Sequence, residues 1–245
     1  MTETLSFKHS NERNLRRLSD ANIVISALKS VWGTPQTLID LGGGQGAWCA
    51  GFLNEGSSKA ICIDHPDSLR GELLIPRESF TECDFTAEFP EPETADLALC
   101  IEVAEHLPSE KSRMLIDFLT SCSDTVLFSA AIPGQQGQHH VNCQPPSYWR
   151  DIFAEFGYER YDCLRPMLFN SEAAYWLKQN LFLYSKHPLE FSDVSFPVCH
   201  DDSWEIVSKE VLIHYRSALE LRRMPLRERL KNAILRRLSF QIHRT

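Results

Sequence analysis

No run in this 245-residue chain approaches eighteen uninterrupted apolar residues, which argues against a helix that crosses a bilayer. The stretch Met1–Ser10 is polar and has no apolar core, so no secretion signal is expected. None of the eight cysteines belongs to a C-x-x-C pair or a metal-like cluster. Cys62, in Ala-Ile-Cys-Ile, and Cys100, in Ala-Leu-Cys-Ile, read instead as small core residues of a reduced, cytoplasmic protein. Internal repeats and low-complexity tracts are also missing. Positive charge is scarce outside one place. Arg216–Thr245 carries nine Lys/Arg against two Asp/Glu, a surplus of seven, which leaves the rest of the chain at −15 within a total of −8. An acidic body repels polynucleotides and anionic membranes, so nucleic acid is not an expected partner.

What is present is 43% hydrophobic residues, enough for one large domain with an appendage. Asn11–Val31 has an imperfect helical pattern that Gly33 and Pro35 end. Short apolar runs then alternate with helical segments: Thr37–Leu41, Ala60–Ile63, Ala95–Ile101 and Thr125–Ser129, with Ser109–Ser121 a helix whose apolar face holds Met114, Leu115, Phe118 and Leu119. A helix over 146–156, strands near 161–164 and 180–184, and a helix over 173–178 follow. Alternation of this kind predicts an α/β fold with a parallel sheet and right-handed crossovers. Residues 1–190 form the expected main domain, and 191–245 an extension that turns helical near Trp204. In it Leu226, Leu230, Ile234, Leu238 and Ile242 recur every four residues among basic ones. That pattern predicts an amphipathic helix docking on the protein's own acidic body, a dimer mate or a membrane surface.

Polar and glycine residues gather where each early strand ends: Asp40-Leu-Gly42-Gly43-Gly44-Gln-Gly46, then Asp64-His65, Cys83-Asp84-Phe85, Glu102-Val-Ala-Glu105-His106, and a long loop after Pro133. Open α/β sheets bind ligands outside the carboxyl ends of their strands, so these form one site. The glycine loop alone also satisfies a dinucleotide fingerprint, with Asp64 placed for a ribose. An acid at position 40 favours a ligand bearing an amine over a pyrophosphate. Glu102, Glu105 and His106 fall at i, i+3 and i+4, one face if that segment is helical. The zinc pattern H-x-x-E-H would need histidine where Glu102 stands, so no resident metal is expected.

These residues resemble a known family. The segment from Asp40 to Gly46 is similar to motif I of class I S-adenosylmethionine-dependent methyltransferases, and Glu102-Val-Ala-Glu-His-Leu to the segment after their fourth strand. His139-His140-Val-Asn142-Cys143-Gln-Pro-Pro-Ser-Tyr148-Trp149 resembles the H-V-N-E-Q-x-P-S-Y-W loop of a small-molecule subgroup, with Cys143 in place of the acid. The resemblance implies a Rossmann-like seven-stranded sheet, mostly parallel, with a C-terminal antiparallel hairpin and helices on both faces. It implies S-adenosyl-L-methionine as cosubstrate. The glycine loop (Gly42, Gly44, Gly46) with Asp40 would lie under the methionine part, and Asp64 and His65 beside the ribose. Asp84 and Phe85 would meet the adenine, and Cys100 and Ile101 would lie along the methionine moiety.

It also implies a small-molecule acceptor, a metabolite or sugar-containing compound methylated on a hydroxyl oxygen in preference to nitrogen or carbon, and contacted by Glu102, His139, Asn142, Tyr148 and Trp149. His140 is the first candidate for a general base, followed by His106 and Glu105. Two other readings keep the fold: a non-catalytic partner subunit, for which Cys143 gives a motive, and an NAD(P)-dependent oxidoreductase.

Overall fold

The computed structural model describes residues 11–189. The extension from 191, with its expected amphipathic helix over Leu226–Ile242, lies outside the described residues, as do residues 1–10. Among the described residues no helix is long and apolar enough to cross a membrane.

The elements run as helix α1 (Asn11–Val31), strand β1 (Thr37–Leu41), helix α2 (Ala47–Asn54), and strands β2 (Lys59–Asp64), β3 (Phe80–Glu82) and β4 (Leu97–Ile101). Then come α3 (Ser112–Cys122), β5 (Thr125–Ser129), α4 (Pro146–Glu155), β6 (Glu159–Tyr161), α5 (Arg165–Leu168), α6 (Tyr175–Asn180) and β7 (Phe182–Ser185). They form one seven-stranded sheet in the order β3-β2-β1-β4-β5-β7-β6. The first five strands pair in parallel, and β7 runs antiparallel to both β5 and β6. The expected antiparallel end is present, with α5 and α6 in the connection between its two strands rather than a tight turn.

Strands buried on both faces need unbroken apolar runs rather than alternation. Leu97-Ala-Leu-Cys-Ile101 and Thr125-Val-Leu-Phe-Ser129 supply them and are buried almost throughout. Successive side chains still divide between the faces. Leu97 and Leu99 join a core with α1 and α2, whereas Ala98 and Cys100 join one with α3 and α4. Helix α1 buries Ala21, Val24, Ile25 and Leu28, the i, i+3, i+4, i+7 spacing of a single stripe. It sits close on α2, because a Cβ on Gly51 would fall 2.7 Å from Ile25 Cδ1.

Two details of the periodicity reading change. Met114, expected on an apolar face, is exposed, and α3 turns Leu115, Ile116, Phe118, Leu119 and Cys122 inward. The strand expected near 161–164 ends at Tyr161, since Leu164 is already helical and Arg165 begins α5. The buried Asp162 carboxylate accepts from Arg165 Nε at 2.8 Å, and Arg165 Nη1 donates to Gln179 O at 2.9 Å. That pair ties α5 to α6.

Candidate functional site

The carboxyl end of β1 carries Asp40 and then a loop whose Gly42, Gly44 and Gly46 have φ of +78°, +61° and +83°. Only glycine takes that region without strain. Gly42 N–H donates to Ile63 O at 2.7 Å and Gly44 N–H to the Asp64 carboxylate at 2.6 Å, so the loop is strapped to the end of β2. Asp64 also accepts from His65 N–H at 2.6 Å and Ser68 Oγ at 3.0 Å. Of the roughly four lone-pair sites of a carboxylate, these three bonds leave about one for a ligand hydroxyl. His65 caps a 3-10 turn, its Nδ1 accepting from Asp67 N–H at 3.1 Å.

Asp40 is buried beneath the loop. Burial, reinforced by the charge of Asp64 and opposed by Arg17, pushes its carboxyl up to about 8. Such a group gains from a cationic ligand. Arg17, on α1, reaches over the loop, its Nη1 3.1 Å from where a Cβ on Gly44 would lie. Sequence pattern gave no hint of this arginine, because α1 reads only as a packing helix.

A cavity of about 270 Å³ opens from the loop. Asp40, Gly42, Gly43, Arg17 and Ile101 line one end. Glu102, Glu105, His106, Gln135, Gln136 and His140 line the other, with Tyr175 and Trp176 as an aromatic wall. The structure therefore brings three separated sequence motifs to one space: the glycine loop, the turn after β4 and the loop after Pro133.

Glu102 follows β4 with φ +55°, a conformation uncommon for a residue with a side chain. The segment is not the helical face that the spacing suggests: only Ala104–His106 makes a 3-10 turn. The turn buries Glu105 fully while His106 stays partly exposed. Glu102 accepts from Gln135 Nε2 at 2.6 Å and Asn180 Nδ2 at 3.1 Å. Burial raises its carboxyl above the usual range, and burial with Glu102 nearby raises Glu105 well above it.

The loop after β5 is pinned over this turn, because Val141 N–H and Asn142 N–H both donate to Glu105 O, at 2.9 and 3.0 Å. His140 is thereby set against Glu105, Nε2 to Oε1 3.8 Å. Its ring meets that of His106 edge-on at 5.1 Å. Burial lowers the His106 imidazole to about 4 and also lowers that of His140, so both are neutral bases near pH 7. Cys143, standing where the resembling loop has an acid, lies with Sγ 3.7 Å from His140 Nδ1. Burial pushes its thiol up to about 11, so it supplies no charge to orient the ring.

Other expected contacts lie away from this cavity. Trp149 is buried in the core against Phe128, ring centroids 5.2 Å apart, and Tyr148 packs edge-on against Trp149. The buried Asn142 amide donates to Ser112 Oγ at 3.0 Å, bracing the loop on α3. His139 is exposed and presents its carbonyl to His106 Nδ1 at 3.2 Å. Cys100 is sealed in the core on the α3 side. Asp84 is exposed and accepts from Thr86 N–H at 2.9 Å, and Phe85 is buried in a stack with Phe89 at 5.8 Å. These residues follow the strand ends as expected, but their side chains face the core or solvent.

Neither a protein-family model nor a curated protein matches the chain by sequence. Solved structures do match it by fold. A protein assigned as an O-methyltransferase from Nostoc punctiforme superposes with a TM-score of 0.51 at 10% identity, over 70% of this chain and 57% of that one. The chain has the methyltransferase fold. An O-methyltransferase family protein from Burkholderia thailandensis (TM-score 0.49, 14% identity, 70% and 56% coverage) is also similar. So is human N-acetylserotonin methyltransferase, solved with S-adenosylmethionine (0.46, 18%, 72% and 56%). The chain spans somewhat over half the length of these three proteins. Within the methyltransferase fold, the glycine loop and the Glu102–His106 turn sit at adjoining strand ends, β1 and β4, as the resemblance implied.

Proposed function

We propose that this chain transfers the methyl group of S-adenosylmethionine to a hydroxyl oxygen of a small metabolite. The observation that carries the reading is the single cavity joining the glycine loop and Asp40 to Glu105, His106 and His140. The residues fit the cosubstrate. A buried acid with a raised pKa suits its ammonium, Arg17 suits its carboxylate, and Asp64 retains acceptor capacity for a ribose hydroxyl.

S-adenosylmethionine supplies an activated methyl group on a sulfonium. The acceptor oxygen forms the new C–O bond as the C–S pair returns to sulfur, and the hydroxyl proton goes to a base. Alignment can supply up to about 7–11 kcal/mol of such a displacement. Here the residues that align are the Tyr175–Trp176 wall and the amides Gln135 and Gln136. Asp20 of α1 accepts from Ala174 N–H at 2.9 Å and so fixes the start of α6, which carries that wall. His140, neutral and lining the acceptor end, is the base in this reading.

Release of S-adenosylhomocysteine from S-adenosylmethionine, measured over a panel of hydroxylated and amine-bearing metabolites, tests the proposal. Turnover is expected with hydroxylated acceptors, lost on blocking the hydroxyl and lowered roughly 100- to 10,000-fold in His140→Gln. Turnover with amines alone would overturn oxygen as the target.

A further inference from the structure

The acceptor end of the cavity contains a side-chain cluster that a proton-transfer role alone does not account for. Glu105 is 0% exposed, and the backbone of Glu105 and Ala131 and the Glu102 carboxyl approach its oxygens without a hydrogen bond of full geometry. Such a carboxyl is costly to ionise unless another group compensates its charge. His140 Nε2 stands 3.8 Å from Glu105 Oε1. Each imidazole directs Nδ1 at a backbone carbonyl, His140 at Gln135 O (3.3 Å) and His106 at His139 O (3.2 Å). Carbonyls only accept, so Nδ1 carries the hydrogen in both rings and the lone pair sits on Nε2. Metal-ligating histidines are held in this way, the far ring nitrogen fixed by a carbonyl or carboxylate.

One ligand atom from each of Glu105, His106 and His140 lies within 4.8 Å of the others. Donors around a tetrahedral zinc ion at about 2.0–2.1 Å are roughly 3.3 Å apart, so a contraction of up to about 1.5 Å closes the set. We propose that Glu105, His106 and His140 form a binding site for a divalent first-row transition ion, zinc above all, with its remaining coordination open to the cavity. Two imidazoles and one carboxylate select zinc over magnesium or calcium, which prefer oxygen. All three side chains line the cavity, so an open position would face the acceptor. Glu102, Glu105 and His106 do not share the one helical face that their spacing suggests. The structure replaces Glu102, tied up by Gln135 and Asn180, with His140 from another loop.

The binding site stands without the methyl-transfer reading, and only its use rests on that reading. There an ion, once bound, would occupy the Nε2 lone pair that otherwise makes His140 the base, and would instead hold the acceptor oxygen and favour loss of its proton to water before the C–O bond forms. The full chain is stripped with a chelator and titrated calorimetrically with Zn²⁺, Mn²⁺ and Mg²⁺, and separately with S-adenosylhomocysteine. One equivalent of Zn²⁺ is expected to bind more tightly than Mg²⁺, weakened at least about tenfold by His140→Gln and by His106→Gln. Cys49→Ser and Cys62→Ser, which alter the buried Asp40–Cys49–Cys62 cluster, leave it unchanged. The visible spectrum of the Co²⁺-loaded protein, showing nitrogen and oxygen ligation without thiolate bands, confirms the site even where a variant folds poorly. No Zn²⁺ binding, binding indifferent to both histidines, or thiolate bands would overturn it. S-adenosylhomocysteine binding without metal binding defeats this inference alone, and the converse defeats the methyl-transfer reading alone.

Discussion

A Cβ on Gly43 would fall 2.3 Å from Asp40 Oδ2 and 2.7 Å from Cys62 Sγ, so the second glycine of the loop lies directly on the buried acid at the end of β1. Unlike its neighbours, Gly43 does not have a positive φ, so the demand for glycine there is one of space. Gly43→Ala is expected to keep the fold, at a cost of roughly 1–3 kcal/mol from overpacking, and to weaken S-adenosylhomocysteine binding by more than about tenfold. Denaturant unfolding and calorimetry on the same preparation separate the two effects. Full affinity in Gly43→Ala would mean that the loop does not approach the ligand closely.

Asp40 predicts a pH dependence. Its carboxyl ionises near 4 in the unfolded chain and at about 8 when folded, so between those values the folded state holds the extra proton. Stability therefore falls as pH rises from about 4 towards about 8, and Asp40→Asn flattens that part of the profile. Ligand binding carries the opposite sign. A ligand ammonium favours the ionised acid, so affinity for S-adenosylhomocysteine rises up to about tenfold per unit from pH 6 to 8, and Asp40→Asn abolishes the slope. An unchanged slope in the variant would remove Asp40 from the ligand's contacts.

The Asp162–Arg165 pair carries the wall of the acceptor pocket. Both side chains are nearly buried, at 9% and 8% exposure. Removing one partner leaves an uncompensated buried charge, so Asp162→Ala should cost about 3–5 kcal/mol in denaturant unfolding. Replacing both, as Asp162→Leu with Arg165→Met, should recover much of that loss. If the single variant loses less than 1 kcal/mol, the pair is not what holds α5 against α6 (a surface pair contributes about 0–1).

How much of this was legible in the sequence depended on range. Thr37–Leu41 and Thr125–Ser129 read correctly to the residue, because strands buried on both faces are mostly apolar runs, interrupted in β1 by Asp40. The cosubstrate end was legible because glycines with positive φ and an acid at a strand end are local requirements. Phe85 and Trp149 were placed in the site by resemblance, which does not tell whether an aromatic beside a loop faces a ligand or the core. Their stacks with Phe89 and Phe128 come from other segments. Arg17, Gln135, Tyr175 and Trp176 went unnoticed because they reach the cavity through tertiary packing alone. Likewise nothing in the spacing set His140 opposite Glu105. The hydrogen bonds from Val141 N–H and Asn142 N–H to Glu105 O did so.

Calorimetric titration of the full chain with S-adenosylhomocysteine tests the central claim most directly, with Asp64→Ala as the partner experiment. The account predicts one equivalent bound saturably by the wild type and a loss of about 1.5–3 kcal/mol or more in the variant, the worth of hydrogen bonds to a charged group. No detectable binding by the wild type, or equal binding by Asp64→Ala, would contradict it.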